Sequence, residues 1–111
     1  MTQNRDHGIR VDGSPVSISD NSVSDNGSGA GAGAGAISCA LDAAAAPTLL
    51  RNVVSSNGGS GISISSGLPK IKNNSIFGND GTQGGGIYVN GGTPTIGNNV
   101  IYSNVSFNEG G

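Results

Sequence analysis

Small groups of aliphatic residues recur along the chain at nearly constant spacing. Four segments share the pattern small-Ile-x-aliphatic or its close variant, and they begin at Gly8, Ala36, Gly61 and Gly86. Each is followed by a proline, an aliphatic residue, an asparagine, another aliphatic residue and a second asparagine. Because alternate residues of a strand point to the same face, the two aliphatics of each segment face the same way. The pattern predicts three short strands per repeat, carrying two, one and one inward aliphatics.

Three strands joined by turns form one coil, and parallel hydrogen bonding stacks successive coils about 4.8 Å apart. Equivalent aliphatics then lie above one another in columns that form the core. The predicted coils of this single domain cover approximately residues 8–34, 35–60, 61–85 and 86–111. The predicted core residues are Ile9, Val11, Ile18, Val23, Ile37, Cys39, Leu49, Val54, Ile62, Ile64, Ile71, Ile76, Ile87, Val89, Ile96 and Ile101.

Two asparagines in each repeat are expected at the corners between strands. Asparagine tolerates a left-handed backbone, and its amide can bond to the amides above and below it. The predicted corner asparagines are Asn21, Asn26, Asn52, Asn57, Asn74, Asn79, Asn99 and Asn104. The coils differ in their corner insertions: residues 41–46 bulge out of the second coil, which we interpret as one helical turn. A Gly-Ala-rich segment at residues 27–35 predicts a longer loop after the first coil.

The columns resemble the parallel β-helix repeats of the pectin-lyase-like superfamily. The aliphatic-x-x-Asn tetrads ending at Asn26, Asn57, Asn79 and Asn104 are also similar to motifs of bacterial polymorphic outer-membrane and autotransporter adhesins. The resemblance implies an all-β protein, a right-handed parallel β-helix or β-solenoid of about four coils. Because this scaffold hosts lyases, hydrolases, epimerases and inert stalks, it does not assign a function. Together with the composition, the resemblance favours an extracellular or cell-surface location.

Charge and hydropathy exclude several function classes. Charged residues make up 11% of the chain, against roughly 25% in a typical soluble domain, and the net charge is −2. Five dispersed basic residues cannot neutralise a phosphate track, so we expect no nucleic-acid partner. The sequence has no apolar run near the ~20 residues of a membrane span and no apolar stretch typical of a signal peptide. The single cysteine, Cys39, excludes an internal disulfide and is interpreted as part of the core.

The outer face of the first strand is where polysaccharide-cleaving relatives, as the resemblance implies, cluster carboxylates. In this chain the outward residues of that strand are Arg10, Ser38, Ser63 and Tyr88, and the next row is Asp12, Ala40, Ser65 and Asn90. Glycoside hydrolysis needs two carboxyl groups about 5–10 Å apart, which this face lacks. His7, with no nucleophile identified near it, is interpreted as a surface histidine. We therefore predict a solvated strand with no catalytic residue, no cofactor and no metal.

The two ends of the chain fall inside the repeat. Residues 1–4 fit the aliphatic-x-x-Asn tetrad, and residues 109–111 resemble the approach to another Gly-Gly-Ile strand. Without capping helices, strand edges and apolar columns should be exposed at both ends. We therefore expect head-to-tail self-association, as a structural subunit of an extracellular fibre or surface appendage. Two alternatives remain open: a carbohydrate-binding or carbohydrate-processing fragment without its catalytic coils, with a glycan partner, and an adhesin passenger segment.

Overall fold

The computed structural model describes residues 2, 4, 7–13, 16–27 and 35–109. Pro15, the proline that follows the first segment, and most of the Gly-Ala-rich segment lie outside the described residues. The described strands are β1 (Ile9–Gly13), β2 (Ser17–Ser19), β3 (Ser22–Ser24), β4 (Gly35–Leu41), β5 (Thr48–Leu50), β6 (Val53–Ser55), β7 (Ser60–Ser66), β8 (Lys70–Lys72), β9 (Ser75–Phe77), β10 (Asp80–Gln83), β11 (Ile87–Val89), β12 (Thr95–Gly97), β13 (Val100–Tyr102) and β14 (Val105–Glu109).

Twelve of these strands form three parallel four-stranded sheets, ordered β1-β4-β7-β11, β2-β5-β8-β12 and β3-β6-β9-β13. Each coil contributes one strand to each sheet, so every sheet is a vertical lane of equivalent strands. The predicted all-β solenoid of about four coils, with three short strands per coil, is confirmed. Only parallel pairing between coils brings equivalent residues level with one another, which is why the repeat and the sheet order agree.

The aliphatic columns lie inside the coil stack. In the first lane Ile9 pairs with Ile37, Ile37 with Ile62, and Ile62 with Ile87. The second and third lanes keep the same one-to-one register between coils. The predicted core residues that the structure buries are Val11, Ile18, Val23, Ile37, Cys39, Leu49, Val54, Ile62, Ile64, Ile71 and Ile76, with Ile9 and Ile87 half-buried against them.

The last coil departs from the predicted core. Val89 is 42% exposed, and Ile96 and Ile101 are each 45% exposed, although each is paired in register with a buried aliphatic of the coil below. Placing these three residues in the core was therefore wrong, because in the described residues no coil covers their upper side. At the N-terminal end the equivalent Val11 and Ile18 are buried. The expectation of exposed apolar columns at both ends is thus wrong for the N-terminal coil.

The corners depart from the prediction in a second way. The left-handed residue is not the corner asparagine but the residue immediately before it, at all eight corners. These residues are Asp20, Asp25, Arg51, Ser56, Asn73, Gly78, Asn98 and Ser103, with φ between 51° and 63°. The residue before each corner asparagine makes the turn, and the asparagine side chain then points into the coil stack. Five of the corner asparagines are consequently buried, namely Asn26, Asn52, Asn57, Asn74 and Asn79.

Two local features differ from the sequence-based expectation. The insertion at residues 41–46 contains a β-turn in place of the expected helical turn: the Ala45 amide donates to the Asp42 carbonyl at 2.9 Å. Leu41 and Ala45, on either side of this turn, are buried and anchor the bulge to the core. A parallel pair, β10 with β14, was not predicted. Its β10 strand (Asp-Gly-Thr-Gln) has no aliphatic alternation, so no hydrophobic period could reveal it.

Candidate functional site

The outer face of the first lane carries few charged groups. The residues Arg10, Ser38, Ser63 and Tyr88 lie level with one another on successive strands. The Arg10 Nε and Asp12 Oδ2 atoms are 2.9 Å apart, so the two charges on this face neutralise each other. Within the described part of the chain, no group of three or more His, Cys, Asp and Glu side chains could hold a metal ion.

Ser63 is not the exposed side chain that strand alternation predicts. It is only 3% exposed, because the chain entering β4 lies against it. A Cβ atom added to Gly35 would come within 2.9 Å of the Ser63 Cβ. The next predicted row is also wrong: a bulge pairs Ala40 with Ser66 in place of Ser65. This face is therefore partly covered by its own chain and is not a continuous open strand surface.

His7 has a neighbour that the sequence could not reveal. Its Nδ1 atom lies 3.0 Å from the Ser38 hydroxyl and 3.0 Å from the Gly35 carbonyl oxygen. A carbonyl only accepts, so the bond to Gly35 requires Nδ1 to carry the proton. In the other tautomer Nδ1 carries a lone pair and accepts from the Ser38 hydroxyl instead. These contacts hold His7, just before β1, against Gly35 and Ser38 of β4.

The corner asparagines form two continuous ladders through the stack. In each, the backbone N–H and the Nδ2 group of one asparagine donate to the Oδ1 atom of the asparagine in the next coil, at 2.8–3.2 Å. The first ladder consists of Asn21, Asn52, Asn74 and Asn99. The second ladder consists of Asn4, Asn26, Asn57, Asn79 and Asn104.

Both ladders have a direction along the solenoid axis. Every described rung donates toward the C-terminal end and accepts from the N-terminal end. At the C-terminal end the Nδ2 groups of Asn99 and Asn104 donate to the Ile71 and Ile76 carbonyls of the coil below, at 2.8 and 3.0 Å. Their backbone N–H groups and the second hydrogen of each Nδ2 have no rung at the next coil position among the described residues. At the N-terminal end of the first ladder, no described rung donates to Asn21, so the repeat leaves its Oδ1 atom as the acceptor for a rung below. The two ends are chemically complementary.

The upper surface of the last coil, which we call the open face, combines these donors with apolar side chains. Val89, Ile96 and Ile101 are its inward aliphatics, exposed from above. Tyr102, at the edge of this face, stacks on Phe77 of the coil below, with ring centroids 5.0 Å apart. An apolar surface bordered by unpaired backbone donors is typical of a surface that another strand-bearing element covers.

Two acidic groups, the Asp20 carboxyl and the Cys39 thiol, have shifted pKa values. Arg51 donates Nε and Nη2 hydrogen bonds to Asp20 at 2.7 and 2.8 Å, which lowers the pKa of the Asp20 carboxyl. Both side chains lie exposed at one corner of adjacent coils. Burial raises the pKa of the Cys39 thiol to about 11, so it stays protonated and is a poor nucleophile near neutral pH.

Three parallel sheets wound into one coil stack, with asparagine ladders at the corners, define a parallel β-helix. The chain matches the family described as a right handed beta helix region over residues 1–111, and it belongs to that family. No curated protein and no solved structure gave a significant match. The described residues include no helix of the length and hydropathy needed to cross a membrane.

Proposed function

We propose that this chain is a structural β-solenoid subunit that assembles head to tail with further copies of itself in an extracellular fibre or surface appendage. The observation that carries this proposal is the open face, where apolar columns and ladder donors end together at the last coil. The arrangement would be completed by a coil bearing the same columns and a ladder acceptor. Another copy's N-terminal coil has both.

The match between the two ends follows from the repeat. Stacked in the register found inside the molecule, Val11 of one copy would lie on Val89 of another, and Ile18 would lie on Ile96. Because Val11 and Ile18 are buried in the single chain, the joint must uncover them before they make this contact. The Asn99 donors would meet the Oδ1 atom of Asn21. Because this contact joins two different surfaces, each added copy presents a new open face, and the assembly grows as an open filament.

The ladder direction argues against joining two open faces. In such a dimer the Asn99 and Asn104 N–H donors of one copy would face the same donors of its partner. A backbone donor buried without an acceptor costs about 1–3 kcal/mol. Head-to-tail stacking pairs donors with acceptors at every ladder position and avoids this cost.

Sedimentation velocity and electron microscopy of the purified chain test the proposal. We expect filaments whose axial rise is a whole number of coils, each about 4.8 Å. Ile96→Lys places a charge in the joint and should leave the chain monomeric. Thr95→Lys, one residue away with an exposed side chain, is the matched control and should still assemble. A chain that stays monomeric at all concentrations would overturn the proposal, and a monomer that binds acidic glycans would favour the carbohydrate-binding alternative.

A further inference from the structure

Two residues before the first coil already occupy a ladder position, and we call them the N-terminal rung (Thr2 and Asn4). Thr2 pairs in parallel with Ser24 of the third lane. The Asn4 N–H and Nδ2 groups donate to the Asn26 Oδ1 atom at 3.1 and 2.8 Å. In return the Gly27 N–H donates to the Asn4 carbonyl at 2.8 Å. The N-terminal rung therefore covers the third lane of the first coil from below.

These contacts reproduce those between complete coils. Asn26 donates to Asn57 Oδ1 at 3.0 and 3.1 Å, and the Gly58 N–H donates to the Asn26 carbonyl at 2.8 Å. In the last coil, Tyr102 and Asn104 hold the lane positions that Thr2 and Asn4 hold below the first. Asn104 of one copy is thus the equivalent of Asn4 in another.

We propose that the N-terminal rung is an intramolecular placeholder for the last coil of a second copy. In the joint, Asn104 of one copy displaces Asn4 of the next and takes over its bonds to Asn26 and Gly27. This inference rests on the head-to-tail assembly proposed above and names the contact that regulates it. The three hydrogen bonds of Asn4 and the Thr2 bridge to Ser24 break within one chain, and equivalent contacts of Asn104 and Tyr102 form between chains.

The exchange is favourable because of what accompanies it. Once the rung has left and Val11 and Ile18 have been uncovered, the first coil of one copy settles on the last coil of the other. Asn99 then reaches the Asn21 Oδ1 atom, and Ile96 and Ile101 are covered. If Asn4 stayed in place on Asn104, the next Asn21 would lie one coil too high, and the Asn99 donors would face no rung.

The placeholder predicts both a geometry and a threshold for assembly. The displaced joint advances four coils per subunit, an axial rise of about 19 Å, whereas a retained rung advances five, about 24 Å. Because the rung competes from within the same chain, it raises the protein concentration at which filaments form.

Two chemically identical substitutions test the mechanism with opposite outcomes. Among the described residues, the Asn4 side chain acts as a donor to Asn26. Asn4→Asp removes that donor and sets a carboxylate against an oxygen, so it should release the rung and lower the critical concentration. Asn104→Asp keeps the acceptor that Asn79 uses but loses the Nδ2 group, which donates to the Ile76 carbonyl within the chain and which the next copy needs. This variant should raise the critical concentration. Each of the two shifts should be about two- to tenfold, the range expected for one hydrogen bond.

The measurement is the critical concentration by pelleting, with the axial rise by cryo-electron microscopy and thermal unfolding of each monomer as a check on folding. Wild-type filaments with a four-coil rise and opposite shifts in the two variants would support the placeholder. Wild-type filaments with a five-coil rise, or an Asn4→Asp variant that assembles no more readily than wild type, would overturn it and leave the proposed assembly standing. If the wild-type chain stays monomeric at all concentrations, both proposals fail.

Discussion

The third coil and the last coil have nearly the same sequence pattern but opposite environments. Ile71 and Ile76 of the third coil are fully buried, whereas Ile96 and Ile101, directly above them in the same columns, are almost half exposed. Strand register is equally good in both coils. A residue's place in the repeat therefore determines which lane and which face it occupies, while its burial depends on whether another coil lies on each side.

The strongest test of this difference places one charge at two heights of the same column. Ile64→Asp would bury an unpaired carboxylate between coils, a cost that exceeds the stability of a small domain, and the chain should not fold. Val89→Asp, one coil higher, leaves the carboxylate in contact with water and should give a folded monomer with a slightly lower Tm. Circular dichroism and thermal unfolding distinguish the two. Equal unfolding of both variants would contradict the described difference in burial.

The fold could be predicted because its determinants repeat. Strand alternation converts the spacing of aliphatics such as Ile62 and Ile64 directly into an inward face, and the recurring asparagines mark the corners. Features that depend on chain segments crossing one another could not be predicted in this way. Ser63 has the sequence position of an outward residue, but Gly35 covers it. The left-handed corner positions hold residues as different as Arg51 and Ser56, so residue type does not predict them.

The ladders should show the same dependence on height. In Asn74→Ala, the buried N–H and Nδ2 groups of Asn52 lose their acceptor, and the free energy of unfolding should fall by about 2–4 kcal/mol. Asn99→Ala removes the acceptor of the Asn74 N–H and Nδ2 groups. It should cost less, because Asn99 is only half-buried and water can replace its oxygen. Asn21→Ala removes no acceptor used by a described rung and should cost under about 1 kcal/mol. Urea denaturation measures this order, and a reversed order would contradict the ladder direction.

The Cys39 thiol offers a pH-dependent test of burial. Its pKa is raised from 9.0 to about 11, while the unfolded thiol ionises near the ordinary value. The neutral thiol's contribution to stability is therefore complete below pH 9 and is lost as the pH rises from 9 to 11. One pKa unit corresponds to about 1.4 kcal/mol, so the loss should be about 2–3 kcal/mol.

Denaturation from pH 8 to pH 11 measures this loss, and Cys39→Ala should abolish its thiol component. Adding Val89→Cys to that variant places a thiol in the same column at the open face. It should react with a thiol reagent in the native monomer at pH 8, whereas Cys39 should not. Rapid modification of Cys39 in the folded wild type would show that the column is open throughout.

The corners provide the smallest effect and the one that should not depend on height. Ser56 and Ser103 occupy equivalent corners of the second and last coils, with φ of 55° and 51°. A left-handed backbone costs a non-glycine residue about 1–2 kcal/mol, partly offset by the greater entropy that glycine loses on folding. Ser56→Gly and Ser103→Gly should each stabilise the monomer by about 0.5–1 kcal/mol.

Gly78 occupies the same corner in the coil between Ser56 and Ser103. A Cβ atom added to Gly78 would come no closer than 3.7 Å to Ser56, so Gly78→Ser should destabilise the monomer by a similar amount through the backbone alone. Thermal unfolding of the three variants tests whether the strain is local: equal gains in both coils would show that each corner makes its own turn, whereas a gain confined to Ser56 would show that the coils above and below hold it there.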